Sequence, residues 1–301
     1  LRKEKKMALS IDVLSSYPSV QEAEVDKVLA EEIRDNEKKI VVLDDDPTGV
    51  QTVHDISVYT NWEKASIEQG FAEENKLFYI LTNSRGFTAA QTKKAHKEIA
   101  EVVDQVAKET GKEYLFISRS DSTLRGHYPL ETTILKDEYE KNTGKKIDGE
   151  VLCPFFKEGG RFTIDDVHYV QYDDTLVPAA ETEFAKDKTF GYTVSNLKEY
   201  VEEKTQGAYK KENVTAISLE NIRELNYDKI EEQLLAVEDF NKVIVNAIDY
   251  VDVKIFCVAL FRAMKKGKNF MFRTAAAIVK VMGGVSNQPL LTREQMVVKE
   301  T

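Results

Sequence analysis

The strongest constraint on the fold of this chain is an apolar strand that runs directly into three carboxylates. Residues 40–43 are Ile-Val-Val-Leu, and Asp44, Asp45 and Asp46 follow before a Pro-Thr-Gly turn. Such an apolar run is typical of a parallel strand covered on both faces, and ligands collect beyond the carboxyl ends of these strands. Three adjacent acids repel one another, so a site here requires cationic or hydrogen-bonding partners. The alternative is a solvated acidic turn.

Two further apolar strands, 77–81 and 114–117, also end in polar segments. Strands of one parallel sheet present their carboxyl ends at the same edge, so the sequence predicts a single site there. Arginine side chains suit it because their planar forks match carboxylate or phosphate oxygens. Taken alone, each segment is explained equally well by helix capping and a surface arginine. The candidate residues in the two segments are Ser84, Arg85, Arg119, Asp121, Ser122 and Arg125.

Strand-like and helix-like segments alternate along the chain, which predicts an α/β fold with a mostly parallel sheet flanked by helices. Residues 168–180 break this rhythm and predict an inserted β-hairpin around Asp173 and Asp174. We expect one continuous sheet, because each half of the chain has few strands. The predicted domain division is a helical leader over 1–36, an α/β domain over 37–285, and the start of a linker over 286–301.

Composition restricts the class of partner. The 301 residues include 42 Lys and Arg against 52 Asp and Glu, a formal net charge of -10. This balance argues against nucleic acid, whose phosphates need a basic face, and an anionic ligand would need a locally basic island. The longest apolar stretches are strand-sized, so no membrane partner is expected. Two distant cysteines, Cys153 and Cys257, and no secretory signal favour the cytoplasm.

Five blocks form a joint pattern that is more specific than any one of them. They are D-D-D-P-T-G with Q-T over 44–52, T-N-S-R over 82–85, S-R-S-D-S-T-L-R-G-H over 118–127, P-F-F with E-G-G-R over 154–161, and E-F-A-K-D with T-F-G-Y over 183–192. In order and spacing they resemble the four-carbon acid sugar kinase family. The resemblance implies phosphorylation of acids such as threonate, erythronate or 3-oxo-tetronate with ATP and Mg, by a sugar-acid domain followed by a nucleotide domain.

The sequence departs from that family at the nucleotide site. Neither G-x-x-x-x-G-K-[ST] nor G-x-G-x-x-G after a strand occurs, so neither signature for cradling a polyphosphate is present. The sequence stops at Thr301, where the family's chain continues. We therefore expect the ATP site in an absent C-terminal domain and this chain to be the substrate-recognition part, inactive by itself. A C-terminal kinase domain acting in trans, or a homo-oligomer, is the expected protein partner.

A small sugar acid combines a carboxylate, which suits arginine, with hydroxyls, which suit carboxylate acceptors. Arg119 and Arg125 are expected to bind the carboxylate. Asp45 is the expected general base because it lies at the centre of the acidic cluster, and phosphoryl transfer to an alcohol needs a proton acceptor. The further expected substrate-binding residues are Asp44, Asp46, Thr48, Gly49, Ser84, Arg85, Asp121, Ser122 and Arg161.

Two other functions stay open at this stage. Asp44, Asp46 and Thr48 also satisfy the D-x-D-x-T pattern of haloacid dehalogenase-like phosphatases, in which the first aspartate attacks phosphorus. The second acidic pair of such an enzyme would have to come from 165–166 or 173–174. The other alternative is a binding module that holds a sugar acid without any catalysis.

Overall fold

The computed structural model describes residues 7–296, and a parallel eight-stranded sheet forms its centre. The order across this sheet, β10-β11-β6-β12-β5-β2-β4-β3, joins both halves of the chain in one sheet, as predicted. The strands in chain order are β1 (Leu9–Ser10), β2 (Lys39–Asp44), β3 (Val58–Tyr59), β4 (Leu77–Leu81), β5 (Tyr114–Arg119), β6 (Gly149–Cys153), β7 (Arg161–Ile164), β8 (Val167–Tyr172), β9 (Thr175–Pro178), β10 (Thr215–Ile217), β11 (Asn241–Val245) and β12 (Phe270–Thr274).

Helices cover both faces of this sheet. The longest, over residues 89–110, starts at a capping box formed by Thr88 and Gln91, which satisfies backbone N–H groups in its first turn. The helices are α1 (Glu22–Asp35), α2 (Lys64–Ala72), α3 (Ala89–Thr110), α4 (Leu130–Thr143), α5 (Leu197–Lys204), α6 (Leu219–Arg223), α7 (Tyr227–Leu235), α8 (Tyr250–Lys265), α9 (Ala276–Met282) and α10 (Arg293–Met296).

Alternate residues of the central strands enter different hydrophobic clusters. Val42 and Ile117 belong to the cluster that includes side chains of α1, α8 and α9. Val41 and Phe116 belong to the cluster formed with α2, α3 and α4. Both faces of a strand are thus buried, which explains the continuous apolar runs in the sequence. The predicted fold class, an α/β fold with a mostly parallel sheet flanked by helices, is confirmed.

The predicted hairpin is part of a second, antiparallel sheet with the order β1-β9-β8-β7. β8 and β9 are the two arms of the hairpin, and Val170 pairs with Val177. The sheet extends beyond the predicted range on both sides, because β7 pairs with β8, and Leu9 of β1 pairs with Leu176 of β9. The leader predicted as helical therefore contains a short strand before α1.

The three-part division of the chain stays a prediction, and residues 1–6 and 297–301 of its outer parts lie outside the described residues. Across the described range, residues 7–296, no helix combines the length and the apolar character needed to cross a lipid bilayer.

Candidate functional site

The candidate site lies at the carboxyl edge of the large sheet. β2 lies between β4 and β5, and the register places Asp44 beside Leu81 and Arg119. Backbone hydrogen bonds continue past the strand ends, from Asp45 N to Arg119 O at 3.2 Å and from Arg85 N to Asp45 O at 3.2 Å. The segments that follow the three strands are therefore held against one another.

Arginines neutralise the three consecutive aspartates, as the sequence requires. Arg119 forms a buried ion pair with Asp44, and its Nη2 lies 3.4 Å from Oδ1 of Asp45. Arg85 contacts both remaining acids, since Nη2 donates to Asp45 Oδ1 at 2.7 Å and Nη1 to Asp46 Oδ2 at 3.0 Å. Asp46 also accepts a hydrogen bond from the backbone N–H of Thr48 at 2.9 Å, which fixes the turn. A solvated acidic turn does not describe this arrangement.

The segment after β5 adds a second acid and a second arginine. Nε of Arg125 donates to Asp121 Oδ2 at 2.7 Å, and Thr123 donates to the same oxygen. Burial alone would raise the pKa of Asp121, but these hydrogen bonds and the charge of Arg85 outweigh it and lower the pKa to about 2. Asp121 is therefore an ionised acceptor at neutral pH.

Two guanidinium groups flank the ring of Phe184. The Cζ atoms of Arg125 and Arg161 lie 5.1 Å and 5.5 Å from its centroid. Nε of Arg161 is buried without a hydrogen-bond partner among the described residues, and no carboxylate there lies within ion-pair distance of this guanidinium. Arg161 is only partly buried, and because its guanidinium has no ion pair within the described range it is available to an external anion.

A small cavity of about 70 Å³ opens between these segments. A larger cavity of about 630 Å³ lies against α1, α8 and the segment after α9, but two of its lysines are already paired with carboxylates, Lys157 with Asp249 and Lys254 with Glu22 and Asp26. The small cavity is the better candidate because it combines donors and acceptors from several strand ends. Its lining residues are Thr48, Gly49, Gln51, Arg85, Arg119, Ser120, Asp121, Ser122, Phe156, Ala275 and Ala276.

Six of the predicted site residues do not line this cavity: Asp44, Asp45, Asp46, Ser84, Arg125 and Arg161. Asp44 is 1% exposed, its Oδ1 pairs with Arg119, and its Oδ2 is buried without a hydrogen-bond partner among the described residues, so burial separates this carboxylate from a substrate hydroxyl. Ser84 is fully buried and donates to Glu131 at 2.7 Å instead of contacting the cavity. The structure thus differs from the sequence expectation for Asp44 and Ser84, because both are buried and each is paired with a neighbouring segment.

Two charged residues at the site were not predicted. Glu131 lies in the first turn of α4, with only 1% of its surface exposed. Arg273 ends β12, and its Nη2 donates to the backbone oxygen of Arg125 at 2.7 Å. Neither residue lies in one of the five blocks. The apolar residues just before Arg273 were its sequence signal, and Glu131 had none.

Burial gives Asp45 an unusual proton affinity. Only 2% of the residue is exposed, and this loss of hydration raises its pKa to about 7, although Arg85 acts in the opposite direction. The same burial lowers the pKa of Arg119 to about 10, so this group stays protonated at neutral pH. A carboxyl group that titrates near neutrality can accept or donate a proton under ordinary conditions.

The phosphatase alternative conflicts with this geometry. Its nucleophile would be Asp44, but the carboxylate that must attack phosphorus is buried in the ion pair with Arg119. The two candidates for the second acidic pair also lie away from Asp44. Asp166 contacts Lys198 and Asn246, and Asp173 lies in the turn between β8 and β9. Neither residue reaches the strand ends of the candidate site.

Gly49 allows the ion pair behind the cavity to form. A Cβ atom at this position would fall on the side chains of Arg119 and Asp44. We expect Gly49→Ala to lower the free energy of unfolding by about 1–3 kcal/mol, because a buried pair has to move to make room. Gly86→Ala is the matched control, since its Cβ would meet nothing within 4 Å. Urea unfolding measures both; equal stabilities would contradict the close approach.

Residues 40–282 match a family model described as a sugar-binding N-terminal domain. The match covers more than half of the chain and includes every residue of the candidate site. No curated protein sequence matches the chain significantly.

Two solved structures share the fold. A Haemophilus influenzae protein of the DUF1537 family is 17% identical with a TM-score of 0.55, and the alignment covers 81% of this chain and 55% of that one. A Salmonella typhimurium LT2 protein, whose name suggests a tRNA synthase, is 14% identical with a TM-score of 0.55, covering 82% of this chain and 55% of that one. The chain thus spans about half the length of both proteins.

Proposed function

This chain belongs to the four-carbon acid sugar kinase family through its sugar-binding N-terminal domain, and from that premise we propose that it is the substrate-recognition part of an ATP-dependent kinase. The proposed substrate is a four-carbon sugar acid of the threonate, erythronate or 3-oxo-tetronate type. The observation that carries the proposal is the meeting of carboxylates and guanidiniums around one cavity at the carboxyl edge of the sheet.

The charges at this edge suit a sugar acid. Arg161 is a guanidinium without a carboxylate partner among residues 7–296, so it is available for the carboxylate of the ligand, with Arg125 beside it at Phe184. Asp121 is ionised and lines the cavity, which suits hydrogen bonds from ligand hydroxyls. A ligand that lacks one of these hydroxyls would leave a buried acceptor unpaired, at about 1–3 kcal/mol each.

Asp45 is the proposed proton acceptor for the attacking hydroxyl. A carboxylate must receive that proton when the hydroxyl attacks phosphorus, and a group that titrates near pH 7 is efficient in this role. Arg85 holds both oxygens of Asp45, through Nη2 to Oδ1 at 2.7 Å and Nε to Oδ2 at 3.2 Å, and so orients the carboxyl group.

The residues present do not fit ATP. The sequence has no glycine-rich phosphate loop of either common type, and the candidate cavity of about 70 Å³ is too small for a nucleotide. We propose that ATP and Mg are held by a separate C-terminal part, because the chain spans 55% of its structural relatives. The same half-length coverage favours a second candidate function, a binding module without catalysis.

Calorimetry with threonate, erythronate and related acids tests binding. An ATPase assay, with and without the C-terminal half of a full-length relative, tests catalysis. We expect one acid to bind and ATP to be hydrolysed only when both parts and that acid are present. Binding without turnover in the combined mixture would favour the binding module, and ATP hydrolysis by this chain alone with threonate would overturn the assignment of the nucleotide site to another part.

Arg161→Ala is expected to weaken sugar-acid binding by about 2 kcal/mol, which is about thirtyfold in Kd, because it removes a charged donor to the ligand carboxylate. Stability should fall only slightly, since the guanidinium has no ion pair to lose within residues 7–296 and gives up its contact with Phe184. Calorimetry gives the affinity, and thermal unfolding verifies the fold. Arg34→Ala, whose side chain is 72% exposed on α1, is the control. Equal affinity in the two variants would place the carboxylate elsewhere.

A further inference from the structure

Glu131 is a buried acid that the proposed chemistry does not use. It lies in the first turn of α4, a helix of 14 residues, where the helix dipole favours negative charge. Only 1% of the residue is exposed, and an ionised carboxylate at such a position needs several partners. Its surroundings therefore decide whether it only supports the fold or also acts on the site.

Serine hydroxyls from two strand ends converge on this carboxylate. Ser84, which follows β4, donates to Oε1 at 2.7 Å. Ser118 in β5 and Ser120 after it lie 3.4 Å and 3.5 Å from Oε2. Hydroxyl donors stabilise the ionised form of a carboxyl group. Glu131 consequently ties the ends of β4 and β5 to the start of α4, directly behind the cavity that Ser120 lines.

His96 provides a further polar contact of Glu131. Nε2 of His96, on α3, lies 3.8 Å from Oε1 of Glu131, and its Nδ1 lies 2.9 Å from the backbone oxygen of Thr92. Burial lowers the pKa of His96, which favours the neutral ring. The charged and titratable groups that act on Glu131 are His96 from α3, Arg273 from β12 and His127 from the segment before α4.

The contacts of Glu131 adjoin those of Asp45. Ser84, which donates to Glu131, precedes Arg85, which donates to both oxygens of Asp45. Ser120, 3.5 Å from Glu131, follows Arg119, whose Nη2 lies 3.4 Å from Asp45 Oδ1. The charge of Glu131 thus acts on Asp45.

Asp45 and Arg273 both lie close to the backbone at Gly126, because a Cβ atom at this position would lie 3.3 Å from Asp45 Oδ2 and 3.6 Å from Arg273 Nη2. A glycine suits this position because its φ is +119°. The charged groups that face Asp45 are Arg85 after β4, Arg119 in β5, Arg273 in β12, Glu131 in α4 and its neighbours Asp44 and Asp46.

We infer that Glu131 is a positioning residue: its carboxylate holds the ends of β4 and β5 together, keeps Arg85 and Arg119 against Asp45, and places a second negative charge behind that acid. Only one part of the inference rests on the proposed function, namely the use of Asp45 as a proton acceptor. Two neighbouring buried carboxyl groups do not ionise with equal ease. Glu131 has the hydroxyl donors, so it ionises first and Asp45 titrates second.

The test is a carbon NMR titration of the Asp45 carboxyl group in the ligand-free protein, with the signal identified by Asp45→Asn. In Glu131→Gln, which keeps the size but removes the charge, we expect the midpoint of Asp45 to fall by about one pH unit or more. Asp137→Asn is the matched control, because it removes an acid from the same helix that is 61% exposed. An unchanged Asp45 midpoint in a folded Glu131→Gln protein would overturn the inference.

If the Glu131→Gln protein does not fold, a second measurement on the unaltered protein tests the inference. The carboxyl signal of Glu131 in the unaltered protein, identified through its bonds to the backbone, must titrate below that of Asp45. The reverse order would overturn the inference. Neither titration needs a ligand. The titrations can therefore support the role of Glu131 even if the sugar-acid assays show no binding, and the assays can show binding even if the titrations contradict that role. The failure of this inference is therefore separate from the failure of the proposed function.

Discussion

Replacing Arg119 by methionine is expected to lower the free energy of unfolding by about 3–5 kcal/mol. Asp44 is 1% exposed, and Arg119 is its ion-pair partner. Without the guanidinium, the described contacts leave that carboxylate one backbone donor, the N–H of Asp46 at 3.2 Å. A buried charge that loses its partner costs far more than the loss of one ordinary hydrogen bond. Urea unfolding at neutral pH measures the difference.

The double variant Asp44→Leu with Arg119→Met separates charge from packing. It removes both ions, so we expect it to recover most of the stability that the single variant loses. Arg34→Met is the control, since Arg34 and Asp35 form a pair that is 72% and 41% exposed and is expected to contribute less than about 1 kcal/mol. A loss of under about 1 kcal/mol in Arg119→Met would mean that Asp44 has another source of stabilisation.

The ion pair of Asp44 and Arg119 lies in the part of the site that the sequence predicts well. Continuous apolar runs identify β2, β4 and β5 as buried parallel strands, and parallel strands present their ends at one edge. The meeting of Asp45 with Arg85 and Arg119 follows from that geometry. The sequence does not predict which atoms pair. It therefore assigned Asp44 to the ligand, whereas in the structure Asp44 pairs with Arg119.

The residues that sequence analysis missed depend on long-range topology. β12 is the last strand in the chain but lies between β5 and β6, which brings Arg273 beside the segment after β5. No local pattern encodes the order of strands. Glu131 looks like any helical surface acid, and its burial comes from the packing of α4 against α3 and against the ends of β4 and β5. β1 has two residues, too few for a periodic signal, and its pairing with β9 was therefore not predicted.

Asp45→Asn is expected to change how stability depends on pH. The pKa of Asp45 is about 7 in the folded chain and has its ordinary value of 3.8 in the unfolded chain. The folded state therefore holds this proton more tightly, so the contribution to stability is complete below about pH 4 and is lost as the pH rises through 7. A pKa difference of about three units corresponds to about 4 kcal/mol.

Asparagine does not titrate, so the loss at high pH disappears in the variant. We expect the stability of Asp45→Asn relative to the unaltered protein to rise by up to about 4 kcal/mol between pH 4 and pH 8. The difference between the proteins is the quantity to measure, because other buried groups titrate in both. Burial lowers the pKa of His168 to about 4, which makes stability rise between pH 4 and 6.5 and offsets Asp45. Asp121 acts only below pH 4, as its pKa is about 2.

Urea unfolding at each pH from 4 to 8 gives the two curves, and Asp137→Asn, which removes an exposed acid, should run parallel to the unaltered protein. A constant difference between Asp45→Asn and the unaltered protein would mean that Asp45 is ionised throughout this range. It would then be a poor match for a proton acceptor that works near neutral pH. A difference that grows through pH 7 would mean that the buried acid destabilises the fold at the pH where the proposed chemistry needs it ionised. The chain would then keep Asp45 at the expense of stability, as expected for a group retained for function.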